Sequence, residues 1–258
     1  MSRSSLGRVL PLAALALTAA ACSDSGAPSN QGQLSFNAAT QAAPAASGGS
    51  LALVGTPETF TDGTNTLVIS GVELVLREIE LHKAGVTAEC SATADDDCEK
   101  LEIGPVLVDL PLGTPGGARS FNVALQPGSY DRVEFEIHKP SSSSDATFVT
   151  AHPELDGISI RVTGTYNGVD FTYTGDFSDE MEFNLVPELT VAETGTADLT
   201  LFASLDSWFR DAGGTLIDPA SANPGGSNQG LVEQNIKSSL DAFEDENHDG
   251  RDDGPNHQ

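Results

Sequence analysis

Apolar and polar residues alternate with a period of two over most of the chain. In Val133-Glu134-Phe135-Glu136-Ile137-His138 every second residue is apolar, a spacing that gives a strand one face in a core and one in water. Ile158, Ile160 and Val162 alternate in the same way with Ser159, Arg161 and Thr163. Met181, Phe183 and Leu185 form another such set, as do Val106, Val108 and Leu110. Asn167-Gly168 stands between two β-rich runs, 158–166 and 169–177, and both residues tolerate the positive φ of a type I′ hairpin turn. The stretch 66–82 carries two apolar phases, with Val72, Leu74 and Leu76 on one parity and Ile79 and Leu81 on the other. A bulge near Arg77-Glu78, or a break between two strands, reconciles them, and Gly71 marks a second irregularity. Seven or more short strands punctuated by Gly and Pro, with no helical period up to Phe209, predict an all-β antiparallel sandwich of the prealbumin or immunoglobulin type. A closed barrel would call for more evenly spaced strands.

The texture changes at both ends. Residues 23–49 are rich in Ser, Ala, Gly, Gln, Asn and Pro and read as a flexible tether with a typical reach of roughly 30 Å. After Trp208 and Phe209, residues 218–228 are loop-like. Val232, Ile236, Leu240 and Phe243 then recur at four, four and three, one stripe of an amphipathic helix. That stripe packs on the sandwich or faces a partner. The expected organisation is therefore an export signal over 1–21, a tether over 22–49, a β-sandwich over 50–210, a linker over 211–230, and a helix with an acidic tail over 231–258.

The first residues fix where the chain goes. Arg3 and Arg8 precede an apolar run, 9–21, far shorter than the roughly 20 residues that span a bilayer. The run ends Thr18-Ala-Ala-Ala-Cys22 and resembles the lipobox of bacterial lipoproteins, with Ala19 where Leu is commonest. The resemblance implies cleavage before Cys22 and attachment of lipid to its thiol. The alternative is ordinary secretion, which leaves Cys22 as a reactive free thiol in an oxidising compartment. Ser23 follows, and by analogy with Gram-negative sorting this favours the outer membrane. The membrane is then a partner through acyl chains alone.

Charge narrows the partners further. The formal net charge is −26. Losing Arg3 and Arg8 with a leader that holds no Asp or Glu takes it to −28. Such a surface repels phosphate backbones and argues against nucleic-acid binding; cations or basic ligands suit it better, although solubility alone also accounts for it. Beyond Cys22 the only cysteines are Cys90 and Cys98. In an exported chain they most simply form a disulfide around residues 91–97, worth about 2–3 kcal/mol by loop closure. A metal site on the two is the alternative, but their spacing is not that of a zinc ribbon.

Two stretches carry a family resemblance. Residues 67–83 (Leu-Val-Ile-Ser-Gly-Val-Glu-Leu-Val-Leu-Arg-Glu-Ile-Glu-Leu-His-Lys) and 125–135 (Leu-Gln-Pro-Gly-Ser-Tyr-Asp-Arg-Val-Glu-Phe) resemble the first long strand and the Leu-Pro-x-Gly-x-Tyr turn of an uncharacterised domain family of bacterial lipoproteins. The resemblance covers about 50–209 and implies a transthyretin-like (prealbumin-like) sandwich on the cell envelope. It brings no catalytic residues. The Cys90/Cys98 insertion and the C-terminal tail depart from its shorter members.

The sharpest chemistry lies in that tail. In Asp245-Glu-Asn247-His-Asp249-Gly250-Arg251-Asp-Asp253, oxygen ligands fall at positions 1, 3, 5 and 9 of an EF-hand-type loop with Gly at 6. Arg251 would supply its carbonyl. A hard cation wants six to eight oxygens, and Gly lets the chain turn sharply enough to aim them. Asn256 stands where a bidentate Glu would be, so the loop is more similar to those of thrombospondin type 3 repeats or dockerins. Calcium is the expected ion, and a solvated acidic tail is the alternative. Asp95-Asp96-Asp97 either holds a second cation or, more simply, is solvated; the group Asp176, Asp179, Glu180 and Glu182 reads as wet acidic surface, and His82, His138 and His152 as exposed strand ends unless the fold brings them together. Trp208, Phe209, Tyr130, Tyr166 and Tyr173 either stack a sugar or fill the core.

Nucleophile-elbow, zincin, phosphate-loop and Cys-x-x-Cys motifs are missing from the sequence. The expectation is a non-enzymatic, lipid-anchored envelope protein whose sandwich binds or presents something, a glycan or an envelope protein, with calcium as a structural ion. The rival is an envelope hydrolase with a carboxylate pair, which leaves no local signature.

Overall fold

The computed structural model describes residues 32–41, 56–85, 98–101, 103–113 and 116–253. Twelve strands and two α-helices, with three short 3-10 helices, are assigned among them. The strands are β1 (Gly32–Ala39), β2 (Glu58–Thr61), β3 (Thr66–Lys83), β4 (Cys98–Leu101), β5 (Val106–Asp109), β6 (Ala118–Leu125), β7 (Gly128–Ile137), β8 (Ile160–Tyr166), β9 (Val169–Gly175), β10 (Asp179–Val191), β11 (Thr196–Ala203) and β12 (Leu240–Glu244). The helices are α1 (Ala146–Ala151) and α2 (Gln229–Ser239). Two sheets result, a four-stranded one in the order β12-β11-β1-β6 and an eight-stranded one built along β3. Leu34, Phe36, Leu199 and Leu201 from the first share one buried apolar cluster with Ile69, Leu74, Val133 and Phe135 from the second. The expected all-β sandwich is the architecture.

β3 organises the larger sheet. Its first half pairs with β8 and its second half with β7. β5 pairs with residues Glu73 to Leu76, so β7 and β8 lie end to end on the opposite edge of β3. Two register shifts, at Arg77/Ile79 and at Ile69/Gly71, let the strand change apolar parity twice. Glu78 is the extra residue of the first and takes φ 55°. The Asn167-Gly168 turn is found as expected, with φ 51° and 79°, closing the β8–β9 hairpin between Tyr166 and Val169.

Three expectations are corrected. The tether of 22–49 contains β1, which is an interior strand of the four-stranded sheet. Leu34, Phe36 and Ala38 are its buried apolar set, and they do alternate, but among Gly, Gln, Ser and Asn the signal looks like linker. β1 also runs parallel to β11, so the sandwich is not wholly antiparallel. Lastly, the helical stripe stops early: Val232 and Ile236 are buried on α2, whereas Leu240 and Phe243 belong to β12. Leu240 is already extended at φ −84°, ψ 143°. Pairing of 240–244 with β11 satisfies a row of backbone groups, which another turn of helix would leave open. The sandwich thus extends beyond 50–210 at both ends.

The aromatic residues are core. Trp208, Phe209, Tyr130 and Tyr173 are buried, with Phe209 edge-on to Tyr173 and Phe171. Trp208 Nε1 donates to Ser239 Oγ at 2.6 Å and Asn235 Nδ2 donates to the Trp208 carbonyl at 3.1 Å, which fixes α2 on the sandwich. Among the described residues, no helix is long and apolar enough to cross a membrane.

Candidate functional site

β12 delivers the chain directly into the acidic loop, so the expected entering helix is replaced by a strand. Asp245 is fully buried. Its Oδ1 accepts from the backbone N–H of Asp249 at 2.9 Å, and its Oδ2 from the N–H of Gly250 at 3.0 Å and the hydroxyl of Thr200 at 3.1 Å. Asn247 Oδ1 also accepts from Asp249 N, at 2.9 Å, and Asp249 Oδ1 accepts from Arg251 N at 2.9 Å. The oxygens at positions 1, 3 and 5 are therefore turned inward on the amides of a tight loop. Gly250 at φ 75° and His248 at φ 56° supply the bends. Asp253 closes the ring: its oxygens accept from Glu246 N at 2.8 Å and from Asn247 Nδ2 at 2.6 Å. Arg251 turns its guanidinium to Asp249 Oδ2 at 3.6 Å.

The ring is fastened to the four-stranded sheet. His248 Nε2 lies 2.9 Å from Asp198 Oδ1 on β11, and Asn37 Nδ2 of β1 donates to the same oxygen at 3.4 Å. Gly117 N donates to the His248 carbonyl at 3.2 Å, and neighbouring Gly116 N to the Gln41 carbonyl at 2.8 Å. A Cβ on Gly116 would collide with that His248 carbonyl. Beneath the loop, Ser35 and Asn37 of β1 and Thr200 of β11 are buried polar residues.

Electrostatics makes the loop short of positive charge. Burial raises the Asp245 carboxyl above its ordinary range, although the Gly250 amide, the Thr200 hydroxyl and the Asp249 amide pull the other way. Burial, together with the charges of Asp253, Glu246, Asp252 and Asp245, raises Glu244 as well. Glu244, Glu246, Asn247 and Asp253 line a wide opening of about 460 Å³. An all-oxygen donor set with excess negative charge fits a hard divalent cation.

A second acidic surface lies on the solvent side of β3, β7 and β10. The register aligns Glu80 with Glu134 and Glu134 with Glu182, and His82 with Arg132 in the adjacent row. Glu78, Glu80, Glu134, Glu136 and Glu180, with Phe135, line a groove of about 250 Å³. Burial raises the Glu134 carboxyl, opposed by His82 and Arg132. Contrary to the expectation of exposed strand ends, His82 and His138 are buried. His82 Nε2 meets Glu134 Oε1 at 2.9 Å. His138 lies between Glu136 Oε1 at 3.3 Å and Asp145 Oδ2 at 3.1 Å. The sequence did show both histidines ending a period-two run, but Glu134 and Arg132 reach His82 from another strand and Asp145 reaches His138 from the following loop, Glu136 alone being local.

Asp245, Asn247, Asp249, Arg251 and Asp253 are thus brought into one loop. Cys22 and Cys90 lie outside the described residues, and with them the lipidation site, the disulfide and Asp95-Asp96-Asp97; Cys98 is in β4, opposite His82 in the register. Asn256 also lies outside them.

No family model matches the chain, and no curated protein matches it. Among solved structures, MbnP from Methylosinus trichosporium is similar at 11% sequence identity and a TM-score of 0.33, over 70% of this chain and 78% of that one. A likeness at that level lends this chain no function.

Proposed function

We propose that this protein is a non-enzymatic, lipid-anchored envelope protein, placed in the outer membrane by Cys22 and Ser23, whose β-sandwich binds or presents an envelope glycan or protein. Calcium, held by the 245–253 loop, is its structural ion. The observation that carries the calcium reading is Asp245, a fully buried carboxylate that organises a ring of amides with Asn247 and Asp249. Burial disfavours the ionised form of such a group; its three donors offset part of that, and a cation held close would offset more. The anchor rests on the Thr18-Ala-Ala-Ala-Cys22 sequence.

The test is a thermal melt of the mature chain titrated with calcium, beside Asp249→Asn. Saturation at about 100 times Kd adds about 2.7 kcal/mol, which for a domain of this size raises Tm by roughly 5–10 °C. The variant should need at least tenfold more calcium for the same rise. A wild-type midpoint that ignores calcium up to about 10 mM, well above the roughly 0.1–1 mM that fills weak extracellular sites, removes the structural ion from this reading.

A further inference from the structure

We propose a second metal site at Glu80, His82 and Glu134, suited to a first-row transition ion such as Zn2+ and separate from the oxygen-only C-terminal loop. Glu80 and His82 are two residues apart on β3 and so share a face, and Glu134 of β7 is the register partner of Glu80. One ligand atom from each of the three lies within 4.8 Å of the others. Zinc held at about 2.0–2.2 Å by tetrahedral N and O ligands needs them about 3.3 Å apart, a contraction within reach of side-chain rotation. One imidazole with two carboxylates suits zinc and its neighbours, whereas calcium and magnesium prefer oxygen alone. The groove lined by Glu78, Glu136 and Glu180 beside it gives a cation a solvent-open, negative approach.

Arg132 sets the affinity of this site. His82 is only 3% exposed, and Arg132 Nη2 donates to its Nδ1 at 2.6 Å. An arginine can only donate, so Nδ1 is the acceptor and Nε2 carries the proton that meets Glu134 Oε1. The ring is thereby aimed at the carboxylates. Arg132 Nε also approaches Glu134 Oε1, at 3.7 Å, so the guanidinium supplies the positive charge that an ion would bring. Metal binding takes the Nε2 lone pair. The Nε2 proton leaves to solvent and Nδ1 gains one from solvent, with no net proton change, and Arg132 gives up its bond to Nδ1. Glu182 Oε1, already 3.4 Å from Arg132 Nη1, is there to hold the displaced guanidinium.

The experiment is calorimetric titration of the mature chain with zinc chloride at saturating calcium, beside His82→Gln, Glu134→Gln, Arg132→Gln and a Cys90→Ser/Cys98→Ser double variant. Circular dichroism and a cooperative thermal melt confirm that each is folded. The expected result is one zinc per chain, weakened at least tenfold by His82→Gln or by Glu134→Gln. Arg132→Gln should bind zinc at least threefold more tightly, and the double cysteine variant should bind as the wild type does. The proposal is overturned if neither wild type nor Arg132→Gln binds zinc. Binding that survives both His82→Gln and Glu134→Gln, or that is lost with the cysteines, overturns it equally. These readouts are independent of calcium at the 245–253 loop.

Discussion

Two carboxylates, Asp62 and Asp145, are held ionised by donors around them, and several others are pushed the opposite way. The Asn65 amide first, then the Asn65 side chain and the Leu216 and Thr64 amides, hold Asp62 far below the usual carboxylate range. For Asp145, burial works upward, but the Ser144 hydroxyl, the Ser141 amide and His138 prevail and hold it at about 2. Burial raises Glu73 despite Arg161, and raises Asp241 as well. The signs differ by group. The depressed pair contributes stability that is whole above the unfolded carboxylate values, about 3.9–4.3, and is lost as pH falls through the folded values. The raised groups bind more protons folded than unfolded just above that range, so there stability rises as pH falls. In calcium-free buffer the melting midpoint should therefore peak at mildly acidic pH. Glu73→Gln should flatten the neutral limb and Asp62→Asn the acid limb. A midpoint that rises steadily from pH 3 to pH 8 contradicts this assignment. Gly164 offers a steric counterpart. A Cβ there would collide with the Val68 carbonyl of the paired strand, so Gly164→Ala should cost more than about 2 kcal/mol in a urea melt.

Among the elements, β1 is the strand that makes residues 32–39 part of the sandwich. It lies between β11 and β6, with seven register pairs on each side. A fragment that begins at Ser50, where the tether was expected to end, lacks this strand and leaves two unpaired ladders. It should aggregate or melt without cooperativity, whereas a chain beginning at Ser23 should fold. Phe36→Ala, in a fully buried position stacked on Phe121 at 4.8 Å, should cost about 3–5 kcal/mol. A stable, cooperative 50–258 fragment refutes the role given to β1. What was legible in the chain was local. The Asn167-Gly168 turn, the bulge at Arg77-Glu78 and the alternating runs each declare themselves within a few residues. β1 was hidden because Ser35 and Asn37 are buried for a non-local reason, the cover supplied by Asp198 and the loop at 245–253. The end of α2 was misplaced because Leu240 and Phe243 satisfy a helical spacing and β12 equally well until β11 is present.

Taken whole, the molecule holds its first and last described strands, β1 and β12, in one sheet. The loop ligands were readable because their spacing is carried within nine residues. The burial of Asp245 beneath Thr200 was not, nor was the convergence of Glu80, His82, Arg132 and Glu134, which depends on a register between strands 50 residues apart. Cys22→Ser should shift the protein from the membrane fraction to the soluble fraction, while leaving its calcium-dependent melt unchanged. Membrane retention of that variant would refute the lipid anchor.

The place of β1 has a mechanical consequence. Tension arriving from the N-terminal side enters the middle of a sheet, on a strand gripped along both edges. When the load runs along the strand, those rungs resist it together in shear, whereas an edge strand would be peeled one rung at a time. Pulling between residue 23 and a handle on β9 should give a single high-force rupture, and early low-force release of a short segment would contradict it. If the proposed anchor at Cys22 holds, the domain would withstand drag without needing a stiff stalk.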